Sequence, residues 1–147
     1  MLTRSEHISR SVADTERVAG ELARELRPGD VIALHGELGA GKTQFTRGLV
    51  QALGGDARDV SSPTYVLLHV YETGSLTVYH IDAYRISGSD DLAQIGFDEL
   101  LEQAGVVVVE WASRVASLLP DKHINVTLEH IGEDARKIIV HRRGQLS

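Results

Sequence analysis

Hydrophobic and polar residues alternate at helical spacing near the start of the chain, between residues 15 and 27. Apolar positions at i, i+3 and i+4 predict an amphipathic helix with one face against a core. Asp14 and Thr15 are the candidates for its N-cap, and the turn Pro28–Asp30 ends it. The positions expected to face inward are Val18, Ala19, Leu22, Ala23 and Leu26.

Three later stretches also have helical patterns. The clearest runs over residues 44–53 and stops at the glycine pair 54–55. A weaker pattern covers residues 89–101 and is broken at Gly96, and a short one covers residues 113–119. The positions of the clearest helix expected to face the core are Phe45, Leu49, Val50 and Leu53.

Other segments have the pattern of strands. The four valines at 106–109 show no alternation, as expected for a central strand that is covered on both faces. Two segments flank the glycine-containing loop 72–75 and predict a β-hairpin. The predicted strands are Val31–His35, Tyr65–Tyr71, Leu76–Ile81, Val106–Val109, His123–His130 and Lys137–Arg142.

Strands that alternate with helices favour an α/β fold. We expect parallel pairing where helices connect the strands, and antiparallel pairing in the hairpin and near the C-terminus. The prediction is a three-layer sandwich with a mixed, partly antiparallel sheet. A length of 147 residues fits a single domain over residues 1–147.

Composition narrows the classes of function. No apolar run approaches the roughly 18 residues that a membrane span needs, so we expect no membrane partner. The polar N-terminus lacks the apolar core of a secretion signal, which predicts a cytoplasmic protein. Zero cysteines exclude disulfides, cysteine-ligated metals and thiol catalysis. The seven histidines form no H-x-x-x-H pair, which argues against a structural transition-metal site.

The charge of the chain argues against tight binding of nucleic acid by this protein alone. Its net charge is −6, whereas duplex binding depends on clustered lysine and arginine. The densest basic cluster, Arg136-Lys137 with Arg142-Arg143, is interpreted as the solvated ends of a strand. Any contact with nucleic acid is therefore expected to be indirect.

The strongest motif is G-x-x-x-x-G-K-[ST] at residues 36–43, between a predicted strand and a predicted helix. In this arrangement backbone amides and the helix start bind phosphates, and glycines let the backbone approach closely. Lys42 is expected to reach the β- and γ-phosphates of a nucleotide, and the Thr43 hydroxyl to coordinate Mg²⁺. The fold is thus expected to be P-loop NTPase-like. The candidate cofactor-binding residues are Glu37, Leu38, Gly39, Ala40, Gly41, Lys42 and Thr43.

Carboxylates at the ends of strands are candidates for hydrolytic chemistry. Glu110 follows the four valines, as the acidic residue of a Walker B strand does, and is the candidate second Mg²⁺ ligand. Asp82 ends another apolar strand, and a structural role as a strand-end cap or an ion pair is equally open. Thr64, in Ser62-Pro63-Thr64, could contact the γ-phosphate from a switch-like loop. Arg85 and Arg114 are further candidates for neutralising charge in the transition state.

Four ordered motifs together resemble the TsaE family, small bacterial P-loop ATPases of tRNA threonylcarbamoyladenosine biosynthesis. They are the glycine-rich motif at 36–43, Ser62-Pro63-Thr64-Tyr65, His80-Ile81-Asp82-Ala83-Tyr84-Arg85 and Val109-Glu110-Trp111. The segment from Pro120 onward carries no motif and is similar only in length and strand pattern.

This resemblance implies that Lys42 and its neighbours hold ATP, and that Thr43 and Glu110 coordinate Mg²⁺. It implies that Thr64, Asp82 and Trp111 are needed for hydrolysis or coupling. It also implies that the protein supports the modification of tRNA adenosine 37 by acting on a complex of TsaD and TsaB homologues, without making the carbamoyl adduct itself.

Two other functions remain open from the sequence. One is a small-molecule kinase that uses the same phosphate-binding loop, although no arginine-rich helical lid is visible after Val115. The other is a nucleotide-gated interaction module in which hydrolysis is incidental. No N-K-x-D motif for base recognition is present, so the preference for ATP rests on the resemblance alone.

Overall fold

The computed structural model describes residues 3–37, 41–60, 68–83, 96–103, 105–112, 119–133 and 135–143. Within these ranges seven strands form one sheet, accompanied by three α-helices and a single 3₁₀ turn, Ala57–Asp59. The strands are β1 (Thr3–Ser9), β2 (Val31–Gly36), β3 (Leu68–Tyr71), β4 (Val78–Asp82), β5 (Val106–Glu110), β6 (His123–His130) and β7 (Arg136–Arg143). The helices are α1 (Val12–Ala23), α2 (Lys42–Ala52) and α3 (Phe97–Glu102).

The sheet is mixed, with a parallel centre and antiparallel edges. Its strand order is β1-β7-β6-β2-β5-β4-β3. Strands β6, β2, β5 and β4 are mutually parallel, whereas β1, β7 and β3 pair antiparallel with their neighbours. The predicted α/β fold with a mixed sheet is confirmed. Because β2, β4 and β5 are parallel, their carboxyl ends meet at one edge of the sheet, where ligands of such folds bind.

Two apolar clusters lie on opposite faces of this sheet. Ile32 and Leu34 of β2 belong to the larger cluster, which includes the inward faces of α1 and α2. Val31 and Ala33 belong to the smaller cluster, which includes Phe97 at the start of α3. All five positions of β5 are buried, which confirms the prediction of a central strand covered on both faces.

The two long helices bury the faces that the hydrophobic spacing predicts. Helix α2 ends at Ala52, and Gly54 then adopts φ +97°, a left-handed conformation that suits glycine at the end of a helix. Every position expected to face the core is buried, although Leu26 lies beyond the end of α1 at Ala23 and Leu53 is the C-cap of α2. The buried positions are Val18, Ala19, Leu22, Ala23, Leu26, Phe45, Leu49, Val50 and Leu53.

Helix α1 begins earlier than the hydrophobic spacing indicates. Its N-cap is Ser11, whose Oγ accepts a hydrogen bond from the Asp14 amide at 3.0 Å, so the prediction of Asp14 or Thr15 as the cap is wrong. Asp14 lies in the first turn, where its carboxylate accepts from the Arg10 amide at 3.0 Å. Thr15 is buried, and its Oγ1 lies 2.7 Å from the Ser9 hydroxyl. The S-x-x-D spacing is the signal that identifies the true cap.

Strand β1 was not predicted from the sequence. It lies at the edge of the sheet and pairs with β7 from Thr3 opposite Arg142 to Ser9 opposite Arg136. An edge strand with few apolar residues lacks the alternation that marks a half-buried strand. Its position is supported by an ion pair between Glu6 and Lys137, with 2.9 Å between Oε1 and Nζ.

The basic residues near the C-terminus are less solvated than the sequence suggests. The Arg142 side chain is 12% exposed, and its Nη2 lies 3.5 Å from Glu25 Oε2. Interpreting this cluster as solvated strand ends is therefore wrong for Arg142, whose largely buried side chain lies beside Glu25 in the turn that follows α1.

The predicted hairpin is confirmed, since β3 and β4 pair antiparallel. Helix α3 begins directly after Gly96, which has φ +71°, so the expected break at this glycine is the helix start. The predicted helical residues 89–95 and 113–118 lie outside the described residues, as do 65–67 of the first hairpin strand. None of the helices in the described part of the chain combines the length and apolar character that a membrane crossing requires.

Candidate functional site

The start of α2 lies just after the carboxyl end of β2. Gly41 is its N-cap and has φ +103°, a left-handed conformation that disfavours residues with a side chain. No side chain among the described residues caps this end of the helix. The first-turn amides of an α-helix have no acceptor within the helix, so they are available to an anion. Glu37 is exposed after β2, whereas Leu38, Gly39 and Ala40 lie outside the described residues.

Lys42 is the first residue of α2 and is almost fully buried, with 6% of its surface exposed. Its Nζ lies 3.8 Å from the centroid of the Trp111 ring and has no hydrogen-bond acceptor among the described residues. Burial lowers the pKa of Lys42, and the nearby carboxylates of Glu110 and Asp82 partly oppose that shift. Among the described residues, this buried ammonium therefore has no hydrogen-bonding anion.

Two acidic side chains lie at the edge where the parallel strands end. Asp82 of β4 and Glu110 of β5 are register partners in the sheet and are 5% and 4% exposed. Both are close enough to Lys42 to affect its pKa. The structure thus brings together three of the predicted catalytic residues. Thr43, predicted as a metal ligand, is half-buried one residue after Lys42 in the first turn of α2.

Glu110 is held by a hydrogen bond that sequence reasoning missed. The Nε2 atom of His80 lies 2.5 Å from Glu110 Oε2, and the His80 side chain is fully buried. His80 Nδ1 lies 3.1 Å from the Tyr71 hydroxyl, which lies 3.3 Å from His69 Nδ1. Burial, and secondarily the neighbouring His80, lowers the pKa of His69. The histidine belongs to the third sequence motif, but no spacing rule connects it to Glu110.

Trp111 follows Glu110 with a backbone φ of +59°. This left-handed conformation is uncommon for a residue with a bulky side chain. It coincides with a ring that is half-buried against the smaller apolar cluster and that lies beside Lys42. The remaining predicted catalytic residue, Thr64, lies outside the described residues, as do Arg85 and Arg114.

A cavity of 270 Å³ adjoins the start of α2 and was not predicted as a site. The polar groups in its lining come from the end of β1, the start of α1, the start of α2 and the start of β7. The sequence gives little signal for it, because these segments meet only after β1 pairs with β7. The lining residues are Ser9, Arg10, Ser11, Val12, Thr15, Gly41, Gln44 and Arg136.

The donor set fits a nucleotide with Mg²⁺ better than a metal held by protein alone. Among the described residues, no group of three or more histidine, aspartate or glutamate side chains could hold a metal ion. Mg²⁺ usually keeps several waters and takes only one or two protein ligands together with substrate phosphates. The buried Nζ of Lys42, without an acceptor in the described part of the chain, suits the phosphate half of such a ligand.

Comparison with known proteins identifies the family. The sequence profile described as threonylcarbamoyl adenosine biosynthesis protein TsaE matches residues 9–138, which is most of the chain. The chain belongs to the TsaE family. The match extends to residue 138, at the start of β7, so residues 120–138, which carry no motif, belong to the TsaE likeness as well.

Individual TsaE proteins and a solved structure also support the assignment to the TsaE family. The tRNA threonylcarbamoyladenosine biosynthesis protein TsaE of Treponema pallidum is 42% identical over 133 residues, which cover 90% of this chain and 97% of that protein. The Bacillus subtilis protein of the same description is 39% identical over 125 residues, 85% of this chain and 77% of that protein. The crystal structure of Bacillus subtilis YdiB superposes with a TM-score of 0.79 at 30% identity, covering 98% of this chain and 88% of that one.

Proposed function

We propose that this TsaE-family chain binds Mg-ATP and hydrolyses ATP in support of threonylcarbamoylation of tRNA adenosine 37. In this proposal residues 1–147 form one three-layer P-loop domain that acts in the cytoplasm on a complex of TsaD and TsaB homologues. tRNA is contacted through that complex. The observation that carries the proposal is the buried Nζ of Lys42, next to the open start of α2 and within the influence of Asp82 and Glu110.

The charge balance of the site supports phosphate binding. A buried ammonium group is costly unless an anion satisfies it, and the described residues offer it no hydrogen-bond acceptor. Lys42 therefore binds the β- and γ-phosphate oxygens, while amides at the start of α2 bind the same group. The residues that complete the phosphate cradle are Glu37, Leu38, Gly39, Ala40 and Gly41.

The other residues of the site are assigned to metal binding, to orientation of water and to contact with the γ-phosphate. Thr43 and Glu110 would hold Mg²⁺, and the ion would supply neutralisation of negative charge on the phosphate oxygens. Asp82, paired in register with Glu110, orients the attacking water. Thr64 contacts the γ-phosphate, and the Trp111 ring, which lies 3.8 Å from Lys42 Nζ, shields the ammonium from solvent.

The cavity beside Gly41 accommodates the nucleoside. It opens next to the first turn of α2, so a nucleotide with its phosphates on that turn extends into it. Gln44 and Arg136 provide polar groups there, and Thr15 lies at its wall. The sequence has no N-K-x-D motif for base recognition. In this proposal the base is instead contacted by the residues that line the cavity.

Turnover of ATP tests the proposal. The wild-type chain is assayed alone and then with TsaB and TsaD homologues and tRNA. Lys42→Ala and Glu110→Ala are each expected to lower turnover by about 100-fold or more, as removal of one transition-state contact does. Lys137→Ala is the matched control, because this lysine lies on the outer strands and pairs with Glu6. Wild-type turnover by Lys42→Ala in the presence of the partners would show that the site is assigned wrongly.

A further inference from the structure

A chain of hydrogen bonds leads from the edge strand β3 to the acidic residue proposed as a metal ligand. It runs from His69 through the Tyr71 hydroxyl to His80 Nδ1, with distances of 3.3 and 3.1 Å. The second nitrogen of His80 continues it to Glu110 Oε2 at 2.5 Å. His80 is fully buried between β3 and β5, so no water competes for either ring nitrogen.

When the His80 ring is neutral, the hydrogen bonds that link His69, Tyr71, His80 and Glu110 can all be formed in only one donor-to-acceptor direction. A metal-binding carboxylate is ionised and can only accept, so His80 Nε2 donates to Glu110. His80 Nδ1 is then an acceptor and takes the proton of the Tyr71 hydroxyl. That hydroxyl in turn accepts from His69 Nδ1. The opposite tautomer would place two lone pairs, on Nε2 and Oε2, face to face at 2.5 Å.

The surroundings of the His80 ring fix its orientation. His80 lies on β4 between Val78 and Asp82, on the face of the sheet that carries Val108 and Glu110 of β5. Tight packing on this face prevents rotation of the ring. The Glu110 carboxylate requires the proton on Nε2, and the Tyr71 hydroxyl satisfies Nδ1. One oxygen of Glu110 is thereby held, and the other is left for a ligand.

We propose that His80, oriented by Tyr71, is a positioning residue that holds Glu110 Oε2 so that Oε1 is presented to Mg²⁺. This inference rests on the proposed function, because it takes Glu110 to be a metal ligand. Partners of this kind fix the geometry and basicity of a metal-binding side chain, and their loss typically costs about 10- to 100-fold in metal affinity. His80 itself contacts neither metal nor nucleotide in this proposal.

Two substitutions of His80 separate positioning from packing. In His80→Gln the amide nitrogen replaces Nε2 and retains the donor to Glu110, whereas in His80→Asn the shorter side chain reaches only the Tyr71 hydroxyl. Trp111 is the single tryptophan and follows Glu110 directly, so its fluorescence reports on the site. The measurement is the Mg²⁺ concentration that gives half of the fluorescence change at saturating ATP.

We expect His80→Asn to raise this half-saturating Mg²⁺ concentration by about 10- to 100-fold, and His80→Gln to restore most of the affinity. Binding of ATP without Mg²⁺ is expected to remain unchanged in both variants. Tyr71→Phe removes only the hydroxyl, and we expect a smaller increase in the same direction. This variant keeps the test decisive if thermal denaturation shows that His80→Asn does not fold.

Each alternative result has a distinct meaning. Equal Mg²⁺ affinities for wild type, His80→Asn and Tyr71→Phe, with weakened binding in Glu110→Gln, would overturn the positioning role and leave Glu110 as the ligand. Equal weakening by His80→Asn and His80→Gln would show that His80 acts through packing and would also overturn it. Absence of any Mg²⁺-dependent response in the wild type would overturn the proposed function and this inference together.

Discussion

At the scale of single residues, Lys42 shows a conflict between stability and ligand binding. Its ammonium is buried, contacts the face of the Trp111 ring and lacks a hydrogen-bond acceptor in the described part of the chain. The pKa of Lys42 is lowered chiefly by burial, although Glu110 and Asp82 act in the opposite direction. The charged form is therefore less favourable in the folded chain than in the unfolded chain when no nucleotide is bound.

We expect Lys42→Met to stabilise the nucleotide-free protein. Methionine keeps the length and apolar stem of the side chain and removes a buried unsatisfied donor, which costs about 1–3 kcal/mol. Loss of the cation–π contact offsets about 0.5–1 kcal/mol of that gain. A net gain of about 1 kcal/mol would raise the melting temperature by about 2–4 °C, which calorimetry can measure. An unchanged or lower melting temperature would contradict this account.

The difference in stability between the wild type and Lys42→Met should decrease as the pH rises. Because the Lys42 pKa lies below its ordinary value of 10.5 in the folded state, the unfolded state binds more protons between the two values. The stability of the wild type relative to Lys42→Met therefore rises with pH between the two pKa values. The advantage of Lys42→Met is largest at pH values below that window. Lys137→Met is the control: a hydrogen bond to Glu6 raises the pKa of Lys137, so its removal should give no gain in stability.

The sequence predicts site residues where chemistry is tied to a local pattern. Lys42 follows from its motif, and Asp82 and Glu110 follow from their positions at the ends of apolar strands, which the structure places side by side. His80 could not be predicted in this way. Its partner is 30 residues away in the chain, and only the register of β4 against β5 brings the two together.

At the scale of elements, α1 and α2 approach closely at a glycine. An ideal Cβ on Gly48 would lie 2.6 Å from the Glu16 carbonyl oxygen and 2.9 Å from the Ala19 Cβ. These contacts are too short, and one is with the backbone, which cannot move aside alone. The spacing of the two helices is therefore set by the absence of a side chain at Gly48.

Two glycine substitutions in this helix pair should have opposite effects. Gly48→Ala is expected to destabilise the protein by about 1–3 kcal/mol, as overpacking does, although alanine is the better helix former. In Gly20→Ala the new Cβ would meet only the Ala52 Cβ at 3.6 Å, an ordinary contact. There the helix propensity should dominate and stabilise the protein by up to about 1 kcal/mol.

Urea denaturation of Gly48→Ala and Gly20→Ala tests these two predicted changes in stability. The midpoint should fall for Gly48→Ala and rise for Gly20→Ala, with the slope unchanged. If both midpoints rose, helix propensity rather than interhelical distance would govern this contact.

Helices and strands could be predicted where burial of one or both faces requires apolar residues at regular spacing in the sequence. The inward faces of α1 and α2 and the valine strand β5 follow from this rule, and the structure confirms them. Strand β1 and the Ser11 cap follow from pairing and hydrogen bonding rather than burial. Their positions depend on β7 and on the Asp14 amide, which the hydrophobic pattern does not encode.

At the scale of the whole molecule, net charge predicts weak binding of tRNA by this chain alone. The chain carries a charge of −6, and its lysine and arginine side chains are partly engaged, as in the pairs Lys137–Glu6 and Arg142–Glu25. Fluorescence anisotropy with labelled tRNA at physiological salt should show no saturation up to about 10 µM protein, within the range of non-specific affinities. Binding should appear when TsaB and TsaD homologues are added.

One finding would contradict the prediction that this chain alone binds tRNA weakly. Saturable, salt-sensitive binding of tRNA to the isolated chain at micromolar concentration would mean that the chain carries its own tRNA-binding surface. The Lys137→Ala variant is a suitable comparison, since it removes one positive charge that pairs with Glu6 and does not line the cavity.

The pairing of β1 with β7 has a consequence for biosynthesis. Residues 3–9 are made well before their partners, residues 136–142. The ribosome must therefore translate as far as β7 before β1 can pair. The cavity beside Gly41 takes part of its wall from Ser9 and part from Arg136, so it too is completed only then. A chain whose synthesis stops before β7 would have the glycine-rich loop but lack the wall beside it.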